Sequence, residues 1–237
     1  GKFARRIAIS YPEASKFFPA EKTAYTGCPI RKEVQDTGTE DSYNFFGFDK
    51  NIPTILILGG SQGARFINEK IIDVLPRLVE KYQIIHQVGT NNIKVIEETR
   101  DVILQNNPNK DRYKPFAYLS VLNLRMSAGA ANIIISRAGS TIFEIALWGK
   151  PSIIIPIPEP TSHDQRTNAY SYARSGGAIV IEEKNLASGV LLSEIDRILG
   201  DKAEIEKMSA GAKDFARKDS ANLIAQEITA IALEHEK

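Results

Sequence analysis

The segment Leu58-Gly59-Gly60-Ser61-Gln62-Gly63-Ala64 has the residue types of an anion cradle. Glycines let a backbone turn sharply and come close to a ligand. An apolar run precedes the segment and a helical pattern follows it. Free N–H groups at that helix start, aided by the helix dipole, could meet a phosphate. Ser61 adds a hydroxyl donor. The pattern lacks the Gly-Lys-Ser/Thr of a P-loop and is not G-x-G-x-x-G, which takes support from a nicotinamide or flavin reading. A tight strand–helix turn that needs glycine only for packing explains the same letters.

A second segment, Ser136-Arg137-Ala138-Gly139-Ser140-Thr141-Ile142-Phe143-Glu144, follows another apolar run. A helix is expected to start near Ser140 or Thr141, which places Glu144 about one turn in. A carboxylate there can accept hydrogen bonds from both hydroxyls of a ribose. The plainer alternative makes Ser140 an N-cap and Glu144 an acid favoured by the helix dipole. A third segment, 156–168, offers Ser162, His163, Asp164, Gln165, Arg166 and Asn168, side chains suited to a sugar. His163 is a candidate for acid–base work, set against a solvated loop histidine or a cap. His86 ends an apolar run and reads as a core or strand-end residue; His235 lies in a polar tail.

No cysteine cluster or H-x-x-x-H spacing supports a metal site. Residues 59–63 do fit the letters G-x-S-x-G of a hydrolase elbow. A Ser-His-Asp enzyme of that order needs an acid and then a histidine late in the chain. Asp164 follows His163, and His235 is terminal, so this reading is disfavoured.

These segments need elements to hold them. Apolar, β-branched runs occur at Thr54–Leu58, 83–86, 113–116, 132–135, 152–155 and 178–181. Several are continuous rather than alternating, as in strands of a parallel sheet covered on both faces. Ile67, Ile71, Val74, Leu75 and Leu78 recur at helical spacing between the first two runs. Leu191, Ile195 and Ile198 mark a later helix, and Ile224, Ile228 and Ile231 the last. Strand–helix alternation predicts an α/β fold, a Rossmann-like doubly wound parallel sheet. In such a sheet ligands sit at the carboxyl ends of strands, where both glycine segments lie.

Residues 1–51 break this rhythm. They hold one short apolar run at 6–10, a proline-punctuated stretch and a polar segment at 35–43. Residues 1–35 are expected to be the end of a preceding domain plus an inter-domain linker, 36–51 a polar linker, and 52–237 the binding domain. Gly1 is not a natural start, and the chain is expected to be a piece whose earlier part is missing. The 237 residues are 43% hydrophobic and 25% charged, with net charge +1. Nothing in this balance suggests a nucleic-acid-binding face. No apolar run approaches the roughly 20 residues that span a bilayer. The single cysteine, Cys28, fits a reducing compartment.

Together, IAISYPEASKFFP, TGCPIR, ILILGGSQGA, SRAGSTIFEIALWGKPSIIIP and HDQRTNA resemble glycosyltransferase family 28, the lipid II-forming GlcNAc transferases, in order and spacing from Arg6 to the C-terminus. The resemblance implies the C-terminal donor-binding domain of a GT-B enzyme. It implies inverting, metal-independent transfer of GlcNAc from UDP-GlcNAc to undecaprenyl-pyrophosphoryl-MurNAc-pentapeptide, with no cofactor.

By this likeness, Gly60, Ser61 and Gln62 belong to the Gly-rich loop, with Ser61 near the diphosphate. Arg31 reaches the donor, the Ala117 backbone reads the uracil, Glu144 holds the ribose and Gln165 contacts GlcNAc hydroxyls. The RAG segment is one residue shorter than in the family, so either Ser140 or Thr141 faces the diphosphate. Cys28 stands where the family has Asn. The catalytic base and the acceptor site are expected in a preceding domain, so the chain alone is expected to be inactive. That domain would also make the only membrane contact, with the full-length protein cytoplasmic and peripheral on the inner face of the membrane. Alternatives are a related enzyme with another acceptor, such as a diacylglycerol glycosyltransferase, a UDP-GlcNAc epimerase, or a non-catalytic UDP-sugar-binding subunit with a membrane partner.

Overall fold

The computed structural model of the chain describes residues 3–38, 40–60, 64–158 and 165–234. Its centre is a parallel sheet of six strands: β3 (Thr54–Leu58), β4 (Gln83–Gln87), β5 (Tyr113–Phe116), β6 (Ile133–Ser136), β7 (Ser152–Ile154) and β8 (Ala178–Val180). They follow the apolar runs of the sequence. Every residue of β3, β4, β6 and β7 is buried, which is why those runs do not alternate. The spatial order is β5-β4-β3-β6-β7-β8. The chain therefore winds outward from β3 in one direction and from β6 in the other, and a crevice opens between them at their carboxyl ends.

Helices cover both faces. Helices α2 (Arg65–Lys81), α3 (Ile93–Ile103) and α7 (Ser188–Leu199) enclose one apolar core with Ile55, Ile57, Ile84 and Ile135. Helices α4 (Val121–Ala130), α5 (Thr141–Trp148), α6 (Arg166–Ala173) and α8 (Lys202–Phe215) enclose the other with Leu56, Leu58, Ile85 and Ile134. Burial of this apolar surface is the main force holding the sheet between its layers.

The segment 36–51, expected to be a linker, contains helix α1 (Glu40–Phe46), which packs on α4 and buries Phe46 and Phe48. Val34 is fully buried just ahead of it, and its carbonyl accepts the indole N–H of Trp148 at 2.7 Å. Nearer the N-terminus, β1 (Ile7–Ile9) pairs in parallel with β2 (Thr23–Tyr25) as a separate ribbon. The last helix, α9 (Ser220–Glu234), lies beside this ribbon, with Arg6 Nε donating to Glu227 at 2.8 Å. Leu223, Ile228 and Leu233 of α9 are exposed. No described helix is long and apolar enough to cross a membrane.

Candidate functional site

The glycine turn begins where β3 ends. A Cβ on Gly59 would lie 2.8 Å from the Ala64 nitrogen and 3.0 Å from the Gln87 carbonyl oxygen, so the position excludes a side chain. Gly60 is left-handed, at φ +80°, a conformation that favours glycine. Ser61 and Gln62 lie outside the described residues, as do His163 and Asp164.

The second glycine segment leads from β6 into α5. Ser140 is the N-cap of α5; it is exposed and its side chain makes no capping bond. Thr141 starts the helix and Glu144 lies three residues on, a spacing that puts both on one helix face. Ile142, Phe143, Ile145, Ala146 and Trp148 are buried, which fixes the direction in which that face points.

Arg31, Leu58, Gly60, Gln87, Tyr118, Leu119, Leu124, Thr141 and Glu144 line one cavity of about 160 Å³ at the carboxyl ends of β3 and β6. Four sequence-predicted residues, Arg31, Gly60, Thr141 and Glu144, thus share it. Arg31 Nη2 donates to Glu144 Oε1 at 3.1 Å. Thr141 lines the cavity and Ser140 does not. Ala117 sits in the bend just before Tyr118 and Leu119, outside the lining itself. The leucines give the cavity an apolar side, while Arg31, Thr141 and Glu144 give it charge and hydrogen-bonding groups.

Gln165 is placed differently. Its Oε1 accepts from the backbone N–H groups of Ala138 and Ile157, each at 3.2 Å. It therefore ties the turn before α5 to the strand end after β7, next to the cavity rather than in its lining. Asn168 reinforces the tie by donating to the Ala138 carbonyl at 3.2 Å.

Gln87, Tyr118 and Leu119 were not visible as site residues in the sequence. Gln87 has the one signal that could have found it: it follows the apolar run 83–86, and parallel register sets it opposite Leu58, beside the glycine turn. His86 is a core residue, fully buried. Its Nε2 lies 3.0 Å from Asn68 Oδ1 and its Nδ1 2.9 Å from the Tyr113 hydroxyl. Asn68 donates its own amide hydrogen to the Val88 carbonyl. Its oxygen is therefore the acceptor of a proton on Nε2, and Nδ1 accepts from Tyr113. Burial pushes the imidazole down to about 3, so it is neutral at ordinary pH, and His86 is not among the residues that line the cavity. Among the described residues no cluster of three or more His, Cys, Asp or Glu is placed to hold a metal ion.

Comparison with known proteins gives this geometry its context. A transferase from Bacillus cereus, UDP-N-acetylglucosamine--N-acetylmuramyl-(pentapeptide) pyrophosphoryl-undecaprenol N-acetylglucosamine transferase 2, is 36% identical over 96% of the chain and 61% of its own length. The corresponding transferase of Listeria monocytogenes is 32% identical over 97% of the chain and 62% of its own length. The chain thus spans about three fifths of these curated relatives. The crystal structure of Acinetobacter baumannii MurG superposes with a TM-score of 0.73 at 22% identity, over 97% of this chain and 62% of that one. A UDP-GlcNAc 2-epimerase from Neisseria meningitidis, bound to UDP-GlcNAc, gives 0.68 at 12% identity over 96% and 62%. At these identities the two structures show the shared fold, that of a GT-B C-terminal domain. The pattern of the glycosyltransferase family 28 C-terminal domain matches residues 54–224, most of the chain. The chain therefore belongs to glycosyltransferase family 28 and carries that family's C-terminal domain.

Proposed function

We propose that the cavity binds the nucleoside diphosphate of UDP-GlcNAc, and that the chain is the donor-binding half of a lipid II-forming GlcNAc transferase. The observation that carries this reading is the meeting of Arg31, Gly60, Thr141 and Glu144 at one 160 Å³ cavity. Each brings a distinct chemistry. Glu144 can accept both ribose hydroxyls. Thr141, at the N-terminus of α5, offers a hydroxyl and a positive helix end to the diphosphate. The Arg31 guanidinium suits phosphate oxygens. Gly60 keeps its backbone open on the same side.

In transfer, the acceptor hydroxyl attacks the anomeric carbon as the bond to UDP breaks, and negative charge grows on the departing diphosphate. Fixed donors aimed at that charge stabilise the transition state more than the ground state. Thr141, the α5 N-terminus and Arg31 take this role, with Ser61 of the glycine turn as a further donor. Ala117 supplies backbone contacts to the uracil, and Gln165 reaches the GlcNAc hydroxyls from beside the cavity. The lipid-linked muramyl-peptide acceptor, the catalytic base and the membrane contact belong to a preceding domain. The full-length protein then works in the cytoplasm, on the inner face of the membrane.

Relatives 31–36% identical across nearly all of the chain carry the transferase name, which favours this reading over the epimerase one, supported by fold alone. Calorimetric titration of the chain with UDP and UDP-GlcNAc, with and without EDTA, tests the site. Binding is expected in both conditions, and binding that vanishes with EDTA overturns the metal-free account. In a radiolabelled transfer assay with a soluble lipid acceptor analogue, the chain alone is expected to be inert. Turnover by the chain alone, lost in His163→Ala, would show that the base lies here.

A further inference from the structure

Gln87 closes β4 between two segments that the fold brings to the same end of the sheet. On one side its backbone carbonyl accepts the Gly59 N–H at 3.3 Å, at the start of the glycine turn. On the other, its side-chain Oε1 accepts the buried Leu119 N–H at 3.1 Å, in the turn between β5 and α4. One residue therefore holds the first turn by its main chain and the second by its side chain. The Leu119 N–H requires an acceptor, so the oxygen end of the amide must face it and the nitrogen end is left over. That Nε2 meets no acceptor among the described residues, and Gln87 lines the cavity with Gly60, Thr141 and Glu144.

We propose that Gln87 is a positioning residue that sets the spacing between the glycine turn and the β5–α4 turn, and that its remaining amide N–H donates to the bound nucleotide. The inference rests on the nucleotide reading of the cavity. The glycine turn faces the diphosphate in that reading, and the Ala117–Tyr118–Leu119 turn faces the base. A residue that ties both should govern recognition of both halves of the ligand. A residue that merely fills space should govern neither, once its volume is kept.

The test is titration of the chain with UDP and with uridine, which carries the base but no phosphate, using wild type, Gln87→Met and Gln87→Glu. Methionine keeps the length and loses both amide ends, leaving the Leu119 N–H unpaired. It is expected to weaken uridine by about tenfold or more, and UDP further, since UDP also loses the N–H donor. Glutamate keeps the acceptor for Leu119, so uridine affinity is expected to return to within about twofold of wild type. It loses the N–H donor and adds a negative charge, so UDP is expected to remain weakened. Gln87→Met binding both ligands as wild type does, or Gln87→Glu as weak for uridine as Gln87→Met, overturns the proposal. If Gln87→Met does not fold, Gln87→Glu decides by the same split between uridine and UDP. Wild-type chain that binds no UDP brings down the nucleotide reading itself, an outcome distinct from variants that match a binding wild type.

Discussion

Arg31 and Glu144 stand 113 residues apart in the chain and meet at 3.1 Å on the lining of one cavity. The guanidinium is about half exposed, at 48%, while Glu144 is largely covered, at 15%. A pair with one end in water contributes about 0–1 kcal/mol to stability. Its interest lies in placement: it holds the Glu144 carboxylate before any ligand arrives.

Glu144→Gln is expected to weaken UDP by roughly tenfold or more, since charge-assisted bonds to two hydroxyls become neutral ones. The same substitution should barely change binding of 2′,3′-dideoxy-UDP, which lacks both hydroxyls. Titration of both ligands against both proteins checks this. An equal loss for the two would make Glu144 a helix-start acid and not a ribose clamp.

Thr141 and Ser140 are adjacent, but only Thr141 lines the cavity. Thr141→Val keeps the shape and removes the hydroxyl, at a cost of about 1–3 kcal/mol of UDP binding if that hydroxyl meets a phosphate. Ser140→Ala should leave binding unchanged, since its hydroxyl makes no capping bond. The reverse order of effects would assign the diphosphate to Ser140.

Gly59 and Gly60 should respond differently to alanine. At Gly60 no atom of the described residues lies within 4 Å of an added Cβ, so the cost expected of Gly60→Ala is the left-handed backbone strain of about 1–2 kcal/mol. That lowers the melting temperature by roughly 2–8 °C in a chain of this size. At Gly59 the new methyl meets the backbone of Ala64 and Gln87, neither of which can swing aside. Thermal unfolding should show the larger drop for Gly59→Ala, together with weaker UDP binding.

His86 gives a pH dependence with a definite sign. Its folded pKa, about 3, is below the ordinary histidine value of 6.5. Between those two pH values the unfolded chain binds the extra proton, so stability rises with pH in that window. The neutral-histidine contribution is fully present above about 6.5 and is lost as pH falls toward 3. His86→Gln, which cannot titrate, should lower stability at pH 7 and flatten the decline from pH 7 to pH 4. Denaturant unfolding at a series of pH values checks the slope; an unchanged slope would mean that His86 is not held neutral.

The sheet was legible because its strands are buried on both faces, and TILIL, QIIH and NIII can hardly be anything else between turn residues. Thr141 and Glu144 were legible because a glycine segment after a strand announces a helix start. Helix α1 was not: EDSYNFF is short and polar at its front, and its two buried aromatics, Phe46 and Phe48, straddle its end. Gln87 was hidden for another reason. A glutamine at a strand end carries no sign of what lies beside it until parallel register sets β4 between β3 and β5.

Trp148 is the chain's single tryptophan. Its indole N–H is held by the Val34 carbonyl at 2.7 Å, in a buried setting. Val34 ends the short turn that Arg31 begins, and Trp148 ends the helix whose first turn carries Thr141 and Glu144. One fluorophore is thus fastened to both sides of the cavity. A ligand that moves the turn from Arg31 to Val34 would shift the carbonyl against which the excited indole dipole is set, and the emission maximum is expected to move with it. Occupancy of the cavity is then expected to register in the tryptophan emission spectrum, without a label and without turnover.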